Sequence, residues 1–144
     1  CGGTGAGINF SGNFYHGTSA VHSHMTNSRL TDPETLEFRY PVILEEFSVR
    51  KNSGGIGQYK GGDGVIRKIS FLEPMIISVL SGHRSIGPPG LLGGGSGKVG
   101  STSILRNDGR YEVLKYADQI KGKKGDTLIV KTPGGGALGT MHNK

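Results

Sequence analysis

Apolar residues in this chain fall in short runs at strand spacing, separated by glycine-rich punctuation. Residues 42–49 are largely apolar or β-branched. Residues 65–72 alternate, so Val65, Ile69 and Phe71 share a face, with Arg67 the exception on it. After Pro74, residues 75–80 form a continuous apolar run, the pattern of a buried strand. Residues 101–106 and 110–114 flank Asn107-Asp108-Gly109, a hairpin connection in which Gly109 can take φ > 0. Residues 127–132 make a last strand after Gly125-Asp126, and residues 18–25 alternate enough for another short one.

A helix start is written in Thr31-Asp32-Pro33-Glu34. Thr31 or Asp32 can cap free N–H groups, Pro33 suits the first turn, and Glu34 favours the positive end of the dipole. Pro41 disfavours helical geometry at Tyr40, so the helix is short, near 33–40, with Leu36 and Tyr40 expected to face the core. Several short strands and one short helix predict a single mainly β domain over residues 1–144, a β-sandwich or partial barrel with long Gly-rich loops.

Glycine changes the picture most: 27 of 144 residues, about a fifth, against roughly 7% in ordinary proteins. The runs at 52–55 and 60–64 read as turns, with Gly61, Gly62 and Gly64 supplying dihedrals that side chains forbid. Residues 95–100 and 134–139 each match G-x-G-x-x-G. That fingerprint needs a strand before it and a helix after it, and neither stretch can open a helix. Gly97-Lys98 also fails as a P-loop, because the first glycine would fall on Leu92 and the hydroxyl position on Val99.

The formal charge of +6 invites a nucleic-acid reading, but the basic residues are scattered. Lys121, Lys123 and Lys124, with Lys115 and Lys131 nearby, lack a binding signature and read as a solvated basic loop. No run of about 18 apolar residues predicts a membrane span. A single cysteine excludes an internal disulfide framework and a Cys-based zinc cluster. The chain begins at Cys1 without a basic, apolar leader, and is read as a fragment of something longer.

Polar chemistry gathers around two histidines. His22 and His24 lie two apart, on one face if the segment is a strand, where they could hold a metal or place an imidazole as general base. No third ligand sits at diagnostic spacing, so the metal reading is set aside. Thr26, Asn27, Ser28 and Arg29 follow, bringing hydroxyl, amide and guanidinium groups together in a set suited to orienting a carboxylate or amide. An Asx-type turn with a surface arginine accounts for the same residues equally well. Asp32 and Asp63 are possible carboxylates, and Gly82-His83-Arg84-Ser85 is a loop leaving a strand end.

Several motifs, in order, resemble one known family. They are Gly2-Gly3-Thr4-Gly5-Ala6-Gly7, His16-Gly17-Thr18-Ser19-Ala20-Val21-His22-Ser23-His24-Met25-Thr26-Asn27, Thr31-Asp32-Pro33-Glu34 and Arg39-Tyr40-Pro41-Val42. Ser53-Gly54-Gly55, Tyr59-Lys60-Gly61-Gly62-Asp63-Gly64, Pro89-Gly90-Leu91-Leu92-Gly93-Gly94 and Thr132-Pro133-Gly134-Gly135-Gly136 continue them. The ordered set resembles the C-terminal part of the hydantoinase B/oxoprolinase family, with the run from 24 to 42 most like its 5-oxoprolinase branch. The resemblance implies a part of a cytoplasmic, ATP-dependent hydrolase that opens cyclic amides, 5-oxoproline to glutamate in that branch. It also implies that ATP and Mg are bound by a hydantoinase A-like partner half, with no cofactor in this chain. His24 would be catalytic, and His22, Thr26, Asn27 and Arg29 would bind the cyclic-amide substrate. The alternatives are an N-methylhydantoinase, a related carboxylase subunit, or a non-catalytic assembly module that packs on that half or on a second copy. Two departures stand out: Ala137-Leu138 where the family continues with glycine and an aromatic, and a longer opening connection over residues 8–15.

Overall fold

Alternating apolar residues pair into antiparallel ladders, as their spacing requires. The computed structural model describes residues 1–22 and 29–141. Its elements are β1 (Gly7–Ile8), β2 (Phe14–Tyr15), α1 (Pro33–Arg39), β3 (Val42–Arg50), β4 (Gly64–Phe71), β5 (Met75–Leu80), β6 (Ser101–Leu105), β7 (Tyr111–Leu114), β8 (Ala117–Gly122) and β9 (Thr127–Lys131). Five strands form one antiparallel sheet in the order β3-β4-β9-β6-β7, β5 pairs with β8, and β1 with β2. Val42, Phe71, Ile104 and Leu114 of the large sheet meet Ile77 of β5 in the core, and Ile104 is fully buried. The chain is therefore mainly β, as its pattern predicts.

The cap of α1 is the one the sequence offers: the Asp32 carboxylate accepts the N–H groups of Glu34 and Thr35. Leu36 packs against the core, but Tyr40 is 57% exposed. Tyr40 is the C-cap and already extended, at φ −132° and ψ 146°, so it leaves the helical face that Leu36 occupies. Residues 75–80 do form a strand, yet Ile76 and Leu80 are 66% and 89% exposed and only Ile77 is buried. A continuous apolar run does not reveal that one face of a two-stranded sheet is left open. β8 was not legible in the pattern because Ile120, opposite Ile77, is its only large apolar residue.

Of the two runs read as turns, 52–55 begins in one, with Asn52 at φ 61°, and 60–64 contains none. Left-handed φ occurs at Gly12, Gly93, Gly109, Gly125 and Gly139, and not at Gly61, Gly62 or Gly64. Residues 134–139 are instead a buried, extended segment surrounded by others of its kind. Gly134 and Ala137 donate their N–H groups to the carbonyls of Lys98 and Gly95, and Gly135 and Leu138 to those of Gly62 and Tyr59. Gly3 and Ala6 donate in turn to the carbonyls of Pro133 and Gly136. Each neighbour is met at steps of three residues, the period of a polyproline II-type helix with three residues per turn. In collagen one face of each such chain is crowded and glycine recurs every third residue. Here three faces are crowded, so glycines run consecutively. A β-carbon on Gly135 would collide with the Thr4 carbonyl, and one on Gly62 with the Thr18 carbonyl.

Charge locks the edges of both parts. The buried Asp126 carboxylate accepts the N–H groups of Asn107 and Lys123, at 3.0 and 2.9 Å, and the Arg106 guanidinium at 2.9 Å. Arg106 also pairs with Glu112. Asp63 accepts the N–H groups of Ser53 and Gly54, each at 2.8 Å, which ties the bundle to the start of β4. Burial alone would raise both carboxyls; the N–H donors around each, and Arg106 at Asp126, outweigh it and hold them below the usual range.

Because both folded-state values lie below the unfolded ones, this stabilisation is complete above the unfolded carboxylate pKa of about 3.9 and is lost as pH falls through the folded values. Thermal melts should therefore weaken below about pH 4, and Asp126→Ala should cost about 3 kcal/mol at neutral pH by urea unfolding. Gly135→Ala should cost a similar amount, about 3 kcal/mol, because the colliding atom is backbone. Gly82→Ala, where a β-carbon meets nothing within 4 Å, should change stability by no more than about 0.5 kcal/mol. Equal costs for the two glycine variants would contradict the bundle.

Candidate functional site

The bundle delivers the chain to the predicted site. Residues 17–21 run beside 60–63, with the Gly17 N–H on the Lys60 carbonyl and the Ala20 N–H on the Asp63 carbonyl, both at 2.8 Å. The step is again three residues. Thr4 grips the same run from the other side: its hydroxyl accepts the Thr18 N–H at 2.8 Å, and its N–H donates to the Thr18 carbonyl at 3.0 Å. The Ser19 hydroxyl accepts the Asp63 N–H, and Val21 closes the run by pairing with Gly2. The strand expected over 18–25 is replaced over residues 18–21 by a bundle segment, and its part from 23 onward lies outside the described residues.

His22 is half-buried at the end of this run, and Arg29 is exposed. His24, Thr26 and Asn27 lie outside the described residues. Residues 29–32 lead into the capped helix α1. The two carboxylates that the sequence offered are spent on architecture: Asp32 caps α1, and Asp63 accepts backbone N–H groups.

The remaining polar groups separate by position. The His16 Nδ1 accepts the Lys60 N–H at 2.9 Å, and its ring lies 5.4 Å from that of Tyr59, which stacks on Phe14. His83 has φ 51° and its Nδ1 is 3.2 Å from the Ile86 carbonyl. Arg84 donates to the Gly82 carbonyl and the Thr102 hydroxyl, which makes the loop at 82–85 a brace for the sheet. A cavity of about 380 Å³ opens over the Arg106–Asp126 pair, rimmed by Lys121, Lys123 and Lys124.

Neither glycine run fits a phosphate. The amides of Gly95, Gly97, Gly134, Gly135 and Ala137 are donated to neighbouring carbonyls, and residues 95–100 lead into β6 rather than a helix. Among the described residues, no three His, Cys, Asp or Glu side chains are grouped to hold a metal ion. No helix among them is long and apolar enough to cross a membrane.

Arg67 is the group that pattern reading passed over. It was visible as the charged exception among Val65, Ile69 and Phe71, and it lies half-buried on that same face of β4.

Comparison with known proteins agrees with the ordered motifs. The family model described as hydantoinase B/oxoprolinase matches residues 1–141. A 5-oxoprolinase of Dictyostelium discoideum is 49% identical over 138 residues, which is 96% of this chain and 10% of that protein. The 5-oxoprolinase 1 of Arabidopsis thaliana is 45% identical over 139 residues, 96% of this chain and 11% of that one. This chain thus spans about a tenth of the length of these relatives. Among solved structures, the ATP-dependent caprolactamase from Pseudomonas jessenii has the same fold, with a TM-score of 0.74 at 24% identity over 96% of this chain and 24% of that one. The chain belongs to the hydantoinase B/oxoprolinase family.

Proposed function

We propose that this chain forms the substrate side of an ATP-dependent cyclic-amide hydrolase that opens 5-oxoproline to glutamate. The observation that carries the reading is the high identity to 5-oxoprolinases over 96% of the chain. In this reading His24 accepts the proton of a water whose oxygen adds to the ring carbonyl. The C–N bond then breaks, the nitrogen takes a proton, and a carboxylate and an amine result. Asn27 and Thr26 orient the amide, and His22 and Arg29 bind the substrate beside them. In this reading ATP and its Mg ion belong to a hydantoinase A-like half, in keeping with glycine runs whose amides are mostly donated to carbonyls already. Rigid delivery of His22 by the bundle fits this role, since misplacement by about 1 Å can cost a hundredfold in rate.

In the native polypeptide that carries this chain, Asn27→Ala and Arg29→Ala should each lower kcat/KM for 5-oxoproline by about tenfold or more. His24→Ala should lower kcat by about 10²–10⁴-fold. Glutamate release measured at saturating ATP checks both, and full kcat/KM in the Asn27 and Arg29 variants would contradict the assignment.

A further inference from the structure

Paired charge and unpaired charge meet in the cavity over Arg106 and Asp126. Its volume of about 380 Å³ is that of a small-molecule site, and it lies between the turn after β6 and the turn after β8. Five cations and three carboxylates line it. All three carboxylates are engaged: Glu112 and Asp126 take the Arg106 guanidinium, and Asp108 takes that of Arg110 at 2.8 Å. Both arginine forks are occupied by the same pairings. The ammonium groups of Lys121, Lys123 and Lys124 have neither an ion pair nor a hydrogen bond among the described residues, so the cavity is left with a surplus of positive charge.

The backbone that presents these lysines is held from beneath. Arg106 donates to the Lys121 carbonyl at 2.8 Å, and Asp126 accepts the Lys123 N–H at 2.9 Å. Gly125, at φ 84°, turns the chain, and its N–H bonds to the Phe71 carbonyl at 2.8 Å. A buried ion pair adds little net stability of its own, because desolvation offsets its attraction. What this pair fixes is the turn that brings three like charges to one cavity. Those charges repel one another, and a bound anion removes that cost.

The residue types select the anion. A planar carboxylate is matched by an arginine fork, and both forks here are taken. Lysine binds as a point charge on a flexible stem, which suits the oxygens of a tetrahedral phosphate. One phosphate ester carries a charge of about −2 at most, so three ammonium groups match more than one phosphate. We propose that this cavity binds a small molecule bearing two or more linked phosphates, held by Lys121, Lys123 and Lys124. The cavity stands at the start of β9 and the glycine bundle begins beyond its end, so the proposal does not depend on the hydrolase reading.

The test uses the native polypeptide that carries this chain, with Lys121→Gln, Lys123→Gln and Lys124→Gln combined. A charge-matched control changes the exposed Lys51, Lys98 and Lys115 to Gln. Pyrophosphate and citrate are titrated by calorimetry at an ionic strength of about 0.15 M, where diffuse surface attraction is screened. Pyrophosphate should bind the wild type more tightly than citrate, and its Kd should rise about tenfold or more in the triple variant. The control should stay within about twofold of the wild type. Adenosine diphosphate separates the two sources of such a ligand. Affinity no higher than that of pyrophosphate assigns the phosphate chain alone, and a higher affinity lost in the triple variant assigns a nucleotide. Pyrophosphate binding that survives unchanged in the triple variant belongs elsewhere in the polypeptide and overturns the proposal. An equal loss in the control, citrate bound as tightly as pyrophosphate, or no pyrophosphate binding at millimolar concentration overturns it as well. If the triple variant fails to fold by thermal melting, K123Q alone carries the same comparison.

Discussion

Backbone-to-backbone hydrogen bonding at a three-residue period organises half of this molecule. An extended chain with three residues per turn presents its N–H and C=O groups on three sides, and residues 134–139 find partners on all three. Close approach on every side leaves no room for a β-carbon at most positions, which is why the Gly134-Gly135-Gly136 run has no side chain until Ala137. Many of the chain's 27 glycines serve this packing, and only 33% of its residues are hydrophobic. The glycine regions form an interior built from peptide groups, packed beside a second interior built from side chains.

The two interiors meet at a few well-defined joints. β9 ends where the central glycine segment begins, and β6 starts where another bundle segment ends. Arg50, on β3, donates to Val99 and Thr132, the residues at those two boundaries. The Ser53 hydroxyl accepts the Gly64 N–H, and the Thr132 hydroxyl accepts the Val65 N–H, so both polar side chains serve the same seam. Through this seam the sheet that carries Arg67 and the bundle that carries His22 are held in one frame.

The sheets were largely legible because their information is in side chains. Alternation marked β4, an apolar, β-branched run β3, the Asn107-Asp108-Gly109 connection β6 and β7, and Gly125-Asp126 the start of β9; Asp32-Pro33 marked α1, and Gly109, with φ 87°, turned the hairpin. The errors have physical causes. Exposure of Ile76 and Leu80 depends on whether a second layer covers β5, which its own residues do not encode. The bundle was read as turns because its pairing leaves no side-chain period. The G-x-G-x-x-G matches at 95–100 and 134–139 turn out to be neighbouring segments of it, linked by the Ala137 N–H on the Gly95 carbonyl. For the site, the ordered motifs carried the family, and His22 and Arg29 stand at the two ends of the segment they predicted. His24, Thr26 and Asn27 fall within it and lie outside the described residues.

Amide hydrogen exchange by NMR tests the central claim most directly, since glycine-rich connections and a buried peptide bundle differ in it by orders of magnitude. The account predicts that the amides of Gly134, Gly135 and Ala137 exchange as slowly as those of Ile129 and Ile104 in the sheet. Exchange of those three amides at the rate of the exposed Gly82 would contradict it.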